Sequence, residues 1–389
     1  MSLLFSLKCP ILNCSEEQFG TCDTRGCKCN LSYCSKHIAG NHQLRDLPNY
    51  GVAGTQLNAG VTGNQLRGLP NFGNTCYLNC IVQSLVANTS LSKFFTEDAY
   101  RELHAFDFEE HSITKAYAGL VKSLYLQQNE QYAPDECMQI FHQRLIILYP
   151  EYIIGNVHDC NEFLYRVLNR LDEEIKQLKQ AKCVLTTGDA SKAAQLRSVI
   201  RDIFEGQLHC DIKCLTCEHM SRKYEPFKIL ELAIPDGAGP FRIDHLISKF
   251  CEEEFLDFEN KYNCPTCKKY QLCSKQITID RMPVDLILSF KRFKDYRLNA
   301  KINTLILYPE SLNLCYGIYN LNDVSSHIGA SRIEGHYISR CWRKGTWNTF
   351  DDEKIVTSFT LDTEQQRDLI DNVHKSIISN NDANWRIDH

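Results

Sequence analysis

The chain has 389 residues, 43% of them hydrophobic and 23% charged, which suits a globular protein of two or three domains. Its formal net charge of -5 argues against general nucleic-acid binding, which calls for a strongly basic surface. No run of about eighteen apolar residues offers a membrane span, and the opening MSLLFSLKCP has no basic leader to mark a signal peptide.

Residues 1–46 are dense in Cys9, Cys14, Cys22, Cys27, Cys29 and Cys34, with His37 and His42 just behind. Thiolates and imidazoles at this spacing suit tetrahedral zinc, and eight ligands serve two ions. Disulfides are the alternative for a chain of twenty cysteines, but they leave the histidines without a use. The module therefore reads as a small zinc-binding unit in a reducing, intracellular compartment. Residues 47–66, with Gly51, Gly54, Gly60 and Gly63, read as a linker.

Long apolar-periodic segments follow. Tyr77, Leu78, Ile81, Val82, Leu85 and Val86 predict a helix directly after Cys76, and Leu164, Leu168, Leu171, Ile175 and Leu178 predict a longer one beginning near His158. Strand-like runs come later: Ile229 to Ile234, Ile277 to Ile279, Leu286 to Phe293, and a hairpin of His336 to Trp342 with Trp347 to Phe350. Helices early and strands late predict an α+β fold. Residues 361–389 form a polar tail.

Between the helices and the hairpin, Cys214-Leu215-Thr216-Cys217 and Cys264-Pro265-Thr266-Cys267 make a four-cysteine set with the spacing of a structural zinc site. Such a site has no open coordination position, so the metal is expected to be structural.

Cys76 follows a Gly73-Asn74 turn and opens its helix. There the unpaired backbone N–H groups and the positive dipole end stabilise thiolate and can hold an oxyanion, with Asn71 as a further donor. Alone, such a thiol is more often a buried structural cysteine. Its partner would come from far away. If Arg343 to Thr346 turn the hairpin, Asp351 falls opposite Ile338, on the same face as His336 and one diagonal step away. An acid so placed fixes the imidazole tautomer.

These segments resemble the ubiquitin-specific protease family of cysteine deubiquitinases. The cysteine box matches at Gly68-Leu69, Asn71, Gly73-Asn74-Thr75-Cys76-Tyr77 and Gln83; the histidine box matches at Gly335-His336-Tyr337 and Phe350-Asp351-Asp352; Ser289 to Phe293 resembles the core strand motif. The resemblance implies a papain-like fold with fingers, palm and thumb over residues 67–360, with the zinc-bearing fingers inserted at about 205–280. It makes Cys76 the nucleophile, His336 the base, Asp351 its orienting acid and Asn71 part of the oxyanion hole. Gly335 and Tyr337 would line a narrow channel for the Gly-Gly tail of ubiquitin. Asp159 and Glu162, taken to share one helix face, would meet its basic residues. In that box His158 and Asn161 depart from the family's usual residues.

A zinc module ahead of a minimal protease domain also resembles the histone-deubiquitinating subunit of coactivator complexes. That implies ubiquitin and ubiquitinated proteins as partners, subunits docking on the N-terminal module, and residence in nucleus or cytoplasm. Two alternatives stay open: a catalytically silent ubiquitin-binding scaffold, and a protease for another ubiquitin-like modifier.

Overall fold

The helix expected after Cys76 runs Cys76–Ala87 (α1), and every one of its residues is buried. A helix enclosed on all sides must satisfy its polar side chains internally, because each buried unpaired group costs about 1–3 kcal/mol. Asn79 donates to Leu69 O, Pro70 O and Asp352 Oδ1. Gln83 donates to Arg67 O, and Ser84 meets Ser325. The motif's polar residues thus tie the helix to its surroundings. The computed structural model describes residues 4–8, 66–97, 99–100, 103, 112–126, 133–256, 260–293, 301–314, 317–329, 331 and 334–358. The eight candidate zinc ligands of the N-terminal module, Cys9 to His42, lie outside the described residues.

Around α1 pack Thr89–Thr96 (α2), Ile113–Val121 (α3), Pro134–Leu148 (α4), Cys160–Thr187 (α5), Ala190–Ala194 (α6) and Val199–Phe204 (α7). The helix expected near His158 is α5, and it ends at Gly188, whose φ of 67° closes it in the left-handed conformation. Two buried acids of α5 bind neighbouring helices. Glu174 accepts from Ser112 Oγ and Thr114 N at the start of α3, while Asp172 takes Ser198, Arg201 and Lys228. The apolar faces of these helices, α6 apart, form one continuous core that includes α1.

The other half is an eight-stranded sheet. Its strands are Leu4–Lys8 (β1), Ile229–Ala233 (β4), Asp285–Lys291 (β10), Ser311–Leu314 (β12), Gly317–Ile328 (β13), His336–Arg343 (β14), Thr346–Asp351 (β15) and Lys354–Ser358 (β16). They run in the order β16-β15-β14-β13-β1-β10-β4, with β12 beside β13. The first strand is unexpected. Sequence reading groups residues 4–8 with the cysteine-rich module, yet their backbone pairs antiparallel with β10 on one side and β13 on the other.

A separate four-stranded sheet projects from the body, in the order β3-β2-β9-β6: Met220–Phe227 (β3), Gly206–Cys214 (β2), Cys273–Arg281 (β9) and Glu254–Leu256 (β6). A small hairpin, Tyr262–Cys264 (β7) with Lys269–Gln271 (β8), stands at its tip, and Phe241–Arg242 (β5) pairs in parallel with Ile306–Leu307 (β11). These elements fill the place expected of fingers, the large sheet that of a palm and the helices that of a thumb. Among the described residues no helix is long and apolar enough to cross a membrane.

Candidate active site

Cys76 stands at the first position of α1, where sequence placed it. The preceding Thr75 makes no side-chain cap bond to the helix; its hydroxyl instead accepts from Phe72 N and meets Asn71 Oδ1. Leu78 N and Asn79 N both turn to Thr75 O, so the N–H groups of Cys76 and Tyr77 ahead of them are the ones placed for a thiolate or an oxyanion. The turn before it is held in an unusual conformation, with Gly73 at φ 104° and Asn74 at φ 56°. Asn71 Oδ1 accepts from Gly73 N and Thr75 N. Gly155 N donates to Gly73 O, and Asn74 Nδ2 returns a bond to Gly155 O. Cys76 thus follows a loop clamped from both sides.

His336 opens β14, and the hairpin has the register the sequence suggested. Arg343 pairs with Thr346, Lys344 and Gly345 form the turn, and Ser339 lies opposite Phe350. Both turn residues have positive φ, 56° and 76°, as a tight two-residue hairpin turn demands. The same register brings Asp351 Oδ1 to 2.6 Å from His336 Nε2. With Nε2 engaged, Nδ1 is the ring nitrogen left to face Cys76, whose thiol acts on the imidazole from that side of the site and raises it. Burial pulls the imidazole down, but Asp351 and then Cys76 more than reverse this, holding His336 up at about 10. The His336 hydrogen bond in turn holds Asp351 below its ordinary value.

One residue of this constellation was not assigned from sequence. Asp352, at φ 50°, accepts from Asn71 Nδ2 and Asn79 Nδ2, each at 2.8 Å. Its backbone oxygen accepts from Leu69 N. It ties the loop before Cys76, helix α1 and the hairpin that begins at His336 into one knot. The Asp-Asp pair in the sequence was the available signal; the second acid's partners, far away in the chain, were not. Gly68 is also explained, since a Cβ there would lie 2.4 Å from Asp352 O. Asn71 is brought to the site, though one side of its amide is spent on Asp352.

Gly335 and Tyr337 flank His336, and Tyr337 Oη accepts from Cys160 N at the start of α5. One expectation needs correcting. Asp159 does not share a helix face with Glu162; it is the N-cap of α5, with its Oδ1 accepting from Asn161 N and Glu162 N. A carboxylate two to three residues before apolar helical periodicity satisfies the free N–H groups there, so capping prevails over a position on the helix. Glu162 is exposed and paired with Arg166. The two departures in this box are both engaged. The His158 ring packs between Tyr77 and Tyr152 and bonds Glu151 O, and Asn161 Nδ2 reaches Glu231 on β4.

At the fingertips the sulfurs of Cys214, Cys217, Cys264 and Cys267 all lie within 4.8 Å of one another. Tetrahedral zinc with bonds of about 2.3 Å sets its sulfurs about 3.8 Å apart. The separations Cys214–Cys267 of 4.0 Å and Cys217–Cys264 of 3.6 Å fit that geometry. Both knuckles have the same form: Glu218 and Lys268, one residue past each pair, have φ of 58° and 52° and return bonds to the carbonyls of Cys214 and Cys264. The cluster can hold a metal ion.

The profile of the ubiquitin carboxyl-terminal hydrolase family matches residues 67–370. The chain belongs to that family. It is 29% identical over 319 residues to ubiquitin carboxyl-terminal hydrolase 2 of Homo sapiens, a match covering 75% of this chain and 52% of that protein. To ubiquitin carboxyl-terminal hydrolase 5 of Saccharomyces cerevisiae it is 29% identical over 388 residues, covering 86% and 46%. The chain thus spans about half the length of the curated relatives it matches. Its fold is that of the SAGA Ubp8/Sgf11/Sus1/Sgf73 DUB module bound to ubiquitin aldehyde, with a TM-score of 0.63, 23% identity and coverage of 77% of this chain and 66% of that one.

Proposed function

We propose that this chain is a thiol-dependent deubiquitinase that hydrolyses the peptide or isopeptide bond after the C-terminal Gly-Gly of ubiquitin. The observation that carries this reading is the 2.6 Å hydrogen bond of His336 to Asp351 beside Cys76 at the start of α1, in a member of the hydrolase family. His336 takes the thiol proton and Cys76 Sγ adds to the glycine carbonyl carbon, while the oxygen gathers charge against the first N–H groups of α1. The C–N bond breaks as His336 returns the proton to the leaving amine, leaving a thioester. Water then gives a proton to His336, its oxygen displaces the sulfur, and the thiol is restored. Gly335 and Tyr337 wall the channel for the Gly-Gly tail, with Glu162 and the N-cap Asp159 beyond them.

The fingertip cysteines are proposed to hold one structural zinc, and the eight ligands of the N-terminal module two more. The finer reading, a histone substrate with partner subunits docking on that module in the nucleus, draws support from likeness to the fold of a module described with Sgf11, Sus1 and Sgf73.

A ubiquitin probe with a thiol-reactive C-terminal group tests the central reading. Wild type is expected to form a covalent adduct, and Cys76→Ala to form none. Folded, zinc-loaded wild type that forms no adduct even with candidate partner subunits present would overturn it in favour of a silent scaffold or another modifier.

A further inference from the structure

Behind Gly335, on the side away from Cys76 in sequence, lies a cluster that the chemistry above does not use. His327, near the end of β13, is half-buried, with its ring 4.9 Å from that of Tyr337. Burial first, and the nearby Lys301 ammonium second, push this imidazole down to about 3, so it is uncharged at neutral pH. Lys301 Nζ donates to His327 O at 2.7 Å and Gly329 O at 3.0 Å, and lies 3.4 Å from His327 Nδ1. An ammonium has three donors, and here three acceptors surround it.

What this cluster supports is the backbone just before the base. Gly335 has a φ of 149°, and a Cβ there would lie 2.1 Å from His327 Nε2 and 2.4 Å from Ile328 O. Gly329, at φ 143°, comes as close from the other side: a Cβ on it would sit 2.8 Å from Gly335 Cα. Gly335 is therefore wedged between the His327 ring and the Gly329 backbone, and Lys301 grips the carbonyls of both. Beyond Ile328, which pairs with His336, the β13–β14 ladder has ended, so ladder bonds no longer hold this stretch. Lys301 enters from a different part of the chain, through a single bridge to Phe293.

We propose that Lys301 is a positioning residue: by holding the end of β13 it keeps the His327 ring seated against Gly335 and so fixes the wall of the glycine channel. The proposal rests on the deubiquitinase reading for its substrate, though not for its structural content. The contacts of the cluster fall on Gly335 and Tyr337, which would wall the channel, while the hydrogen bond that orients His336 comes from Asp351 on another strand. Its loss is therefore expected in recognition of the Gly-Gly tail more than in the chemical step.

Two readouts on the full chain test this, using Lys301→Met, which keeps the apolar stem and removes the donors, and Lys301→Arg, which keeps donors. In hydrogen exchange, the Met variant is expected to lose at least about tenfold protection over residues 325–329 and 334–338 while α1 and α5 stay as in wild type. With a fluorogenic ubiquitin C-terminal substrate, its KM is expected to rise about tenfold, the scale of losing charge-assisted hydrogen bonds, and kcat to stay within about threefold. The Arg variant is expected to remain within about threefold of wild type in both. Unchanged exchange in the Met variant, a fall in kcat at constant KM, or an Arg variant as impaired as Met would overturn the proposal. A wild type that hydrolyses no ubiquitin substrate would overturn the deubiquitinase reading instead, and the exchange experiment would still decide the role of Lys301.

Discussion

At His336 desolvation and charge pull in opposite directions, and the charge of Asp351 and Cys76 prevails, raising the imidazole to about 10. A histidine whose folded value lies above its unfolded value of about 6.5 contributes stability that is complete below that pH and lost as pH rises through the folded value. Wild type is thus expected to lose unfolding free energy between about pH 6.5 and 10, and Asp351→Asn to flatten that slope. The same substitution is expected to lower kcat by about a hundredfold or more and to move the alkaline limb of kcat/KM downward. Denaturant titrations and rate profiles across that range check both. The neighbouring acid behaves differently. Asp352→Ala takes one acceptor from the exposed amide of Asn71 and one of three from the buried amide of Asn79, at about 0.5–1.5 kcal/mol for each hydrogen bond lost. Its expected signature is a lowered Tm together with lost activity at every pH, whereas Asp351→Asn loses activity with a Tm deficit that is largest near pH 6 and shrinks as pH rises toward 10. Tm deficits with the same pH dependence in the two variants would refute the division of labour. The positions of Cys76, His336 and Asp351 were legible in sequence because each sits in a local pattern: a helix start, a strand start and a hairpin register. The work of Asp352 was not legible, since its partners come from across the chain.

Among the elements, those with one strong period were readable and those without were not. The stripe of Leu164, Leu168 and Leu171 gives α5, and its turn chemistry gives the Lys344-Gly345 hairpin. Strand β13 was missed. Its inward positions include Asp323 and Ser325, both buried, so apolar alternation fails where the strand meets the polar face of α1. Strand β3 was missed for the opposite reason, being exposed along most of its length and stabilised by pairing to β2 rather than by burial. Fingers with so little core need a staple, and the four cysteines join the β2–β3 and β7–β8 tips. Chelation, or Cys264→Ser, is expected to unfold the fingers and weaken ubiquitin binding at least about tenfold. The core around α1 should persist, because it shares no residue with the cluster. Hydrogen exchange resolved by segment separates that outcome from global unfolding. Protection unchanged over residues 206–281 after complete metal removal would show that the staple is unnecessary.

For the whole molecule the decisive contact is the one that sequence assigned to another unit. Strand β1 makes four registered pairs with β10 and five with β13, and so joins the strands behind the thumb to the hairpin that carries His336. At a net 0.5–1.5 kcal/mol for each hydrogen bond, this ladder contributes several kcal/mol, a large share of the 5–15 kcal/mol typical of a domain. Leu4–Lys8 lie directly before Cys9, so a truncation meant to remove only the cysteine-rich module also removes a strand from the interior of the sheet. Deleting residues 1–46 is therefore expected to lower Tm sharply and to abolish hydrolysis, for a reason unrelated to zinc. Ser6→Pro separates the two effects: it leaves every cysteine and histidine in place but removes a backbone N–H from a strand paired on both sides, at about 3 kcal/mol. If Ser6→Pro and the deletion both destabilise, the strand is the cause. A deletion that keeps the Tm of wild type would place residues 4–8 outside the sheet and leave β10 and β13 to hold the palm without them.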